Sequence, residues 1–263
     1  MWSRAELKGR AKAAFKKNYW KSVLVSLVLM ILFSGSGSSS TGGRNLVDDT
    51  TSNIIEGDSF FDDDYDDSLY YDDGTLVENE DDSLGVTDIL SLGFLGALGF
   101  GLIVLFAAVA AGVKIFICNP IEVGGCRFFI DNAYENPGAG TLFYAFQSGY
   151  YGKMVLTLFL RNLFIVLWSF LLIIPGIVKA YEYRMVPYLL ADNPEMSRQD
   201  AFQISKEMMN GDKMNAFILD LSFIGWDILS ALTFGLVGVF YVNPYENATN
   251  AELYLELKRN YSR

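Results

Sequence analysis

The run Val86–Cys118 constrains the fold more than any other feature: it holds 33 residues, nearly all apolar. As a straight helix it is about 49 Å long, more than a hydrocarbon core of ~30 Å requires. Runs of this kind rarely fit a soluble core and are ordinary in a bilayer. Val23–Phe33, Met154–Val178 and Ala216–Val242 are similar material. The fold class expected is therefore all-α: a polytopic transmembrane helical bundle of about six spans, with interfacial amphipathic helices. A hydrophobic content of 51% agrees with it.

The net charge of −11 is unevenly placed. Fifteen acidic residues and no base lie between Asp48 and Asp82, and removing them leaves 16 acids against 20 bases. One segment holds the acidity and the rest is mildly basic. No basic stripe with interleaved aromatics stands outside the N-terminus, so a nucleic-acid partner has no support. Within "FFDDDYDDSLYYDDG", a calcium loop starting at Asp62 would need Gly and Glu where Asp67 and Asp73 stand, so the EF-hand reading fails. The segment reads as a self-repelling, disordered acidic loop, suited at most to weak divalent binding or to capture of a cationic peptide.

The N-terminal segment 1–19 reads as a basic amphipathic helix opened by the capping box Ser3-Arg4-Ala5-Glu6. Leu7, Ala11, Ala14, Phe15 and Tyr19 share one face. Arg4, Lys8, Lys12, Lys16 and Lys17 are the candidates for binding an anionic lipid surface. Span 1 follows over 20–40, with Trp20 as interfacial anchor. The rival reading, a cleaved signal peptide, lacks a crisp small-x-small cleavage site. The acidic loop 41–85 lies outside the cell, and span 2 covers 86–118. Gly93, Ala97 and Gly101 recur at four-residue spacing there, which suits close helix packing.

Residues 119–152 read as a cytoplasmic interfacial segment crowded with aromatics. Residues 153–191 read as a transmembrane hairpin (spans 3 and 4) turning at Pro175 and Gly176. A cytoplasmic amphipathic helix follows over 192–213. Ser197 and Asp200 open it, Ala201, Ile204 and Met208 form its apolar face, and Gly211 stops it. A second hairpin, spans 5 and 6, takes 214–263 and turns at Thr233-Phe234-Gly235. Basic residues at both ends put both termini in the cytoplasm of a multi-pass protein of a bacterial plasma membrane.

Three stretches repeat weakly. "AAGVKIFICNPIEVG", "IPGIVKAYEYRMVPYLLAD" and "TFGLVGVFYVNPYENAT" place Pro120, Pro187 and Pro244 where an outward-to-inward span would end. The repeat would be three hairpins of parallel sense.

Six charges fall within expected spans: Arg161, Lys179, Glu182, Arg184, Asp220 and Asp227. Charge at mid-bilayer is costly unless it is paired or faces water inside the bundle. By helical rise, Asp220 and Glu182 serve Arg161 and Arg184, and Asp227 lies level with Lys179. The set is either a polar path or an ionic clasp joining spans 3, 4 and 5. Cys118 and Cys126 read as reduced packing residues. There is no histidine, P-loop or nucleophile elbow, so neither a catalytic set, a metal nor a cofactor is expected.

"CNPIEVGGCRFF", "IIPGIVKAYEYRMVPYLLADNPEMS" and the stretch from Phe217 to Leu257 resemble the family called domain of unknown function 975. The resemblance implies a polytopic plasma-membrane protein, mostly of low-GC Gram-positive bacteria, with no agreed activity. It supplies no catalytic residues to carry over. The functions expected are a non-enzymatic transport, export or peptide-tolerance component. The alternative is a membrane scaffold that recruits another membrane protein or binds anionic lipid. Partners are the lipid bilayer first, then cationic peptides or a second membrane protein.

Overall fold

The computed structural model describes residues 2–33 and 86–262. The expected acidic loop and the outer end of span 1 lie outside the described residues. The described residues are helical, with no strand. In order they form α1 (Arg4–Lys17), α2 (Tyr19–Phe33), α3 (Val86–Val113), a π-helical turn (Lys114–Cys118), α4 (Asn119–Tyr134), a 3-10 turn (Ala139–Phe143), α5 (Tyr144–Gln147), α6 (Tyr151–Leu171), α7 (Ile173–Glu182), α8 (Val186–Asp192), α9 (Arg198–Met208), α10 (Lys213–Leu221), α11 (Ile224–Leu232), a second π-helical turn (Gly238–Val242) and α12 (Asn243–Tyr261).

The chain divides into two compact units, Leu46–Ala110 and the remainder. In the first, α3 is apolar and exposed at every position described from Phe94 to Ala110. A helix hydrophobic all round has no wet face, and lipid is the solvent that suits it.

The larger unit is built around α4, on which both α8 and α12 pack. The sequence reading puts residues 119–152 at the membrane surface; instead α4 is the central helix, buried over most of its length. The small residues Gly124 and Gly125 permit this. A Cβ at Gly124 would overlap the Leu142 carbonyl, so the 3-10 turn can lie directly on α4. Helix α12 is also buried, although its sequence "NPYENATNAELYLELKRNY" is polar on all sides. It is tolerated there because its polar groups find partners, as buried polar groups must. Asn247 donates to Ser26 Oγ (3.0 Å), Asn250 accepts from Arg184 (2.7 Å), and Tyr254 donates to Asp192 (2.9 Å).

Pro120, Pro187 and Pro244 each stand in the first turn of a core helix. Proline has no N–H and crowds the carbonyl four residues back. Before Pro120 and Pro244 the chain widens into a π-helical turn and stays helical. The two carbonyls thus released are Phe116 and Phe240, and each accepts from a tyrosine hydroxyl: Tyr151 (2.6 Å) and Tyr19 (3.0 Å). The repeat seen in the sequence thus corresponds to a shared solution of one backbone problem at two of its three positions. At the third, three turn residues precede Val186 and no π turn forms.

Pro175 and Gly176 do not form the hairpin turn. The break is at Leu172, which is extended (φ −158°, ψ 138°), and Pro175 lies inside the first turn of α7. The carbonyl that Pro175 cannot bond is that of Leu171, the last residue of α6. Gly176 has a packing role, since a Cβ there would lie 2.7 Å from Ser169 Cα and overlap its hydroxyl. The second turn forms as expected. Phe234 (φ 52°) and Gly235 (φ 82°) are left-handed, and Gly235 N–H closes on Ser230 C=O (2.8 Å).

Of the two capping boxes, only one forms. Ser197 Oγ accepts from Asp200 N–H (3.1 Å) and caps α9. Ser3 makes no side-chain cap, and the Glu6 carboxylate that would return to the Ser3 N–H accepts from Arg10 instead (3.0 Å).

Within the larger unit, polar bonds at its polar end tie the foot of α2 to that of α4, the foot of α6 to that of α8, and the foot of α10 to that of α12. Lys17 and Asn18, before α2, bond the carbonyls of Tyr134 and Pro137, after α4. Tyr150 and Lys153, at the start of α6, bond Glu195, just after α8. Tyr261, at the end of α12, bonds Glu207 on α9, before α10. The far tips are apolar and exposed: Phe170, Ile173 and Ile174 on one, Leu232, Phe234 and Leu236 on the other, with Phe234 at 97%.

Three stretches among the described residues are long and apolar enough to cross a membrane: Gly96–Tyr134, Tyr151–Leu171 and Lys213–Leu232. The returning segments are shorter or broken, as α7 with α8 and the π turn with α12. Exposed apolar side chains run from Leu156 to Phe170 on α6 and from Met214 to Leu232 along α10 and α11. These bands are about 21 and 27 Å tall by helical rise, close to a hydrocarbon core.

Candidate functional site

The charged residues of the hairpins turn inward and close into three groups. In the first, Arg161 of α6 meets Glu122 of α4 in a two-pronged pair, Nη1 to Oε1 at 2.8 Å and Nη2 to Oε2 at 3.1 Å. The side chains are 4% and 5% exposed. Arg161 Nε and Nη2 also donate to Asn162 Oδ1. The planar guanidinium suits this because its fork matches a carboxylate edge.

The second group centres on Arg184, in the turn between α7 and α8. It grips Asp220 of α10 at 2.7 and 2.8 Å and gives a third bond to Asn250 Oδ1 of α12 (2.7 Å). Tyr181 Oη donates to the same Asp220 carboxylate (2.7 Å). One cation thereby ties α10 and α12 to the α7–α8 turn.

In the third, Glu182 ends α7 and accepts from Lys179 and Lys213, both at 2.6 Å. Its own carbonyl accepts from Ser205 Oγ of α9 (2.7 Å), which in turn takes the Met185 N–H (3.2 Å). Lys179 lies 5.5 Å from the Trp168 ring, so part of its charge faces an aromatic wall.

Of the six charges singled out in the sequence, Arg184 and Asp220 come together, and so do Lys179 and Glu182. Arg161 pairs outside the six, and Lys179 turns to Glu182 and not to Asp227, which is half-buried on α11. Sequence reasoning missed Glu122, Lys213, Asn250 and Tyr181. Glu122 was findable: "NPIE" at 119–122 is echoed by "NPYE" at 243–246, so the repeat itself placed a carboxylate next to a buried proline turn. Next to Glu122, a cavity of about 10 Å³ is lined by Cys126, Tyr188 and Asn247 among others. It is about the size of one water and has the polar walls a water needs. Cys126 and Cys118 are buried and free.

The five basic residues proposed for lipid contact divide. Arg4, Lys12 and Lys16 are exposed. Lys8 lies 4.1 Å over the Phe223 ring, and Lys17 bonds the Tyr134 carbonyl (3.3 Å). The apolar face of α1 (Leu7, Ala11, Phe15) is buried against α12 and α4, so it fills protein and not lipid. Arg10 joins this contact by bonding Glu252 (3.0 Å) and Glu256 (2.8 Å). A mixed-charge groove of about 850 Å³ opens here between α1, α4 and α12. Glu207, on the polar end, is held below the usual carboxylate range by hydrogen bonds from Gln203 and Tyr261. Among the described residues no group of three His, Cys, Asp or Glu side chains can hold a metal ion.

Chemically the three groups neutralise charge and hold helices together. The family model described as Protein of unknown function (DUF975) matches residues 171–261. That is the family the motifs resemble, and the match runs from the end of α6 to the end of α12, taking in Glu182, Arg184, Asp220 and Asn250. No curated protein and no solved structure matches the chain.

Proposed function

We propose that this chain, whose residues 171–261 carry that family's pattern, is a non-enzymatic membrane scaffold. In this reading it crosses a bacterial plasma membrane six times and keeps both termini in the cytoplasm. Its apolar belt anchors it, and its polar end recruits a partner through the groove between α1, α4 and α12.

The observation that carries the reading is the closure of the buried charges. Arg161, Arg184 and Glu182 each meet an opposite charge at 3.1 Å or less. A conduit needs charged groups that exchange their partners with water or a passing ion. A pair held by two direct bonds with low exposure works as a clasp. The groove supports the recruiting half. Arg127, Lys258 and Arg259 stand there beside Asp131, Asp192 and Glu256, and such a two-sign pattern selects a partner by charge register more than by apolar area. A transport or export role is the reading this closure weighs against.

The test is leakage. Purified protein in vesicles loaded with a pH-sensitive dye is expected to leave the decay of an imposed proton gradient at the rate of protein-free vesicles. A decay several-fold faster would replace the scaffold with a conduit.

A further inference from the structure

A cavity of about 540 Å³ lies between α6 and the start of α9. Its lining combines two kinds of group. Lys153 and Arg198 are cationic; Leu160, Phe164 and Phe202 are apolar, and no carboxylate lines it. Lys153, Leu160 and Phe164 are spaced by seven and four residues, so they form one stripe up α6. The stripe starts with the cation at the polar end and becomes apolar toward the membrane-length part of the helix. From Lys153 to Phe164 is about 17 Å by helical rise.

The apolar part is built. Phe164 and Phe202 meet edge to face at 5.9 Å between ring centres, and Tyr183 packs behind Phe202 at 5.0 Å. The charged part is open. Arg198 is exposed and has no acidic partner among the described residues. Lys153 gives one bond to the Glu195 carbonyl (2.5 Å), leaving donors to spare. The nearest carboxylates are turned to other partners: Glu195 accepts from Tyr150 (2.9 Å) and Asp200 from Ser197 (2.6 Å).

We infer that this cavity binds an anionic phospholipid of the leaflet at the polar end. Its phosphate sits between Lys153 and Arg198, and one acyl chain follows Leu160, Phe164 and Phe202. The volume lies in the range of ligand pockets. The order of chemistry along the groove, cations then aromatic and aliphatic carbon, is that of a lipid standing in a bilayer. The charge complementarity selects an anionic head over a zwitterionic one. The proposal rests on the membrane reading above and adds a specific lipid to it.

The test uses the full chain in detergent, with lipid binding followed by native mass spectrometry. Phosphatidylglycerol, phosphatidylcholine and glycerol 3-phosphate are titrated separately. Phosphatidylglycerol is expected to bind at least several-fold more tightly than phosphatidylcholine, and glycerol 3-phosphate not to compete at the same concentrations. Arg198→Gln, at an exposed position with no ion pair to lose, should weaken phosphatidylglycerol about fivefold, and Lys153→Gln with Arg198→Gln about tenfold or more. Lys206→Gln, in the last turn of α9 and outside the cavity, removes one exposed cation elsewhere and should change binding less than about twofold. Equal binding of the two lipids, competition by glycerol 3-phosphate, or unchanged affinity in Arg198→Gln would each overturn the site. A chain that stays in solution without detergent would instead overturn the membrane reading itself.

Discussion

Replacing Arg161 with methionine should all but abolish accumulation of the folded protein. The change leaves the Glu122 carboxylate 5% exposed and without its guanidinium. Breaking one side of a buried ion pair costs about 3–5 kcal/mol, against a total stability of about 5–15 kcal/mol for a typical domain. The cost is the stranded charge more than the lost attraction. Converting both partners, Glu122→Met with Arg161→Met, removes two charges whose desolvation was itself expensive, and stability should return to within about 1–2 kcal/mol of the parent. Thermal unfolding in detergent, with the monodisperse fraction on size exclusion, reads both. A single variant that unfolds at the parent temperature would show that the pair carries nothing.

The second large effect is at Asp220. Asp220→Lys sets a second cation against Arg184, which is 4% exposed and otherwise bonded to Asn250 and set 5.5 Å from the Tyr181 ring. The expected loss is again about 3–5 kcal/mol. Exchanging the charges, Asp220→Lys with Arg184→Asp, restores neutrality but not the geometry. Lysine cannot reproduce the two-pronged grip, the new aspartate faces the Asn250 carbonyl oxygen, and Tyr181 Oη loses its acceptor. Recovery should therefore be partial, near half of the loss, by the same unfolding measurement. Full loss in the exchanged protein would mean that Asn250 and Tyr181 hold Arg184 more firmly than Asp220 does.

These two pairs also show what was legible in the sequence and what was not. Three membrane-length runs and the three proline-started segments could be read because each depends on local chemistry. Apolar length, a missing N–H and a left-handed turn residue act within a few positions. Arg184 and Asp220 were also within reach, since depth along two neighbouring helices follows from helical rise. Arg161 was assigned the wrong acid because its true partner sits on α4, in a stretch that local composition put at the surface. Only the three-dimensional arrangement decides that a glycine pair and aromatic side chains make α4 the centre of the unit. The same limit applies to α1: its amphipathic pattern is real, but periodicity does not say whether lipid or protein covers the apolar face. At Ser3 a capping box is present in sequence and unused, its Glu6 half lost to Arg10, which also binds Glu252 and Glu256. Pro175 marked the right hairpin but three residues late, since the ring obstructs the carbonyl behind it and not its own position.

The central claim is that the hairpins carry their apolar tips across the bilayer and return to one polar end. Two single-cysteine proteins, with Cys118 and Cys126 changed to alanine, test it by reaction with a membrane-impermeant maleimide. Phe234→Cys lies at the 97% exposed tip, and Ser262→Cys lies just past the end of α12 at the polar end. The account predicts that the first reacts in intact cells and the second only after permeabilisation. Labelling of both from the same side would contradict it.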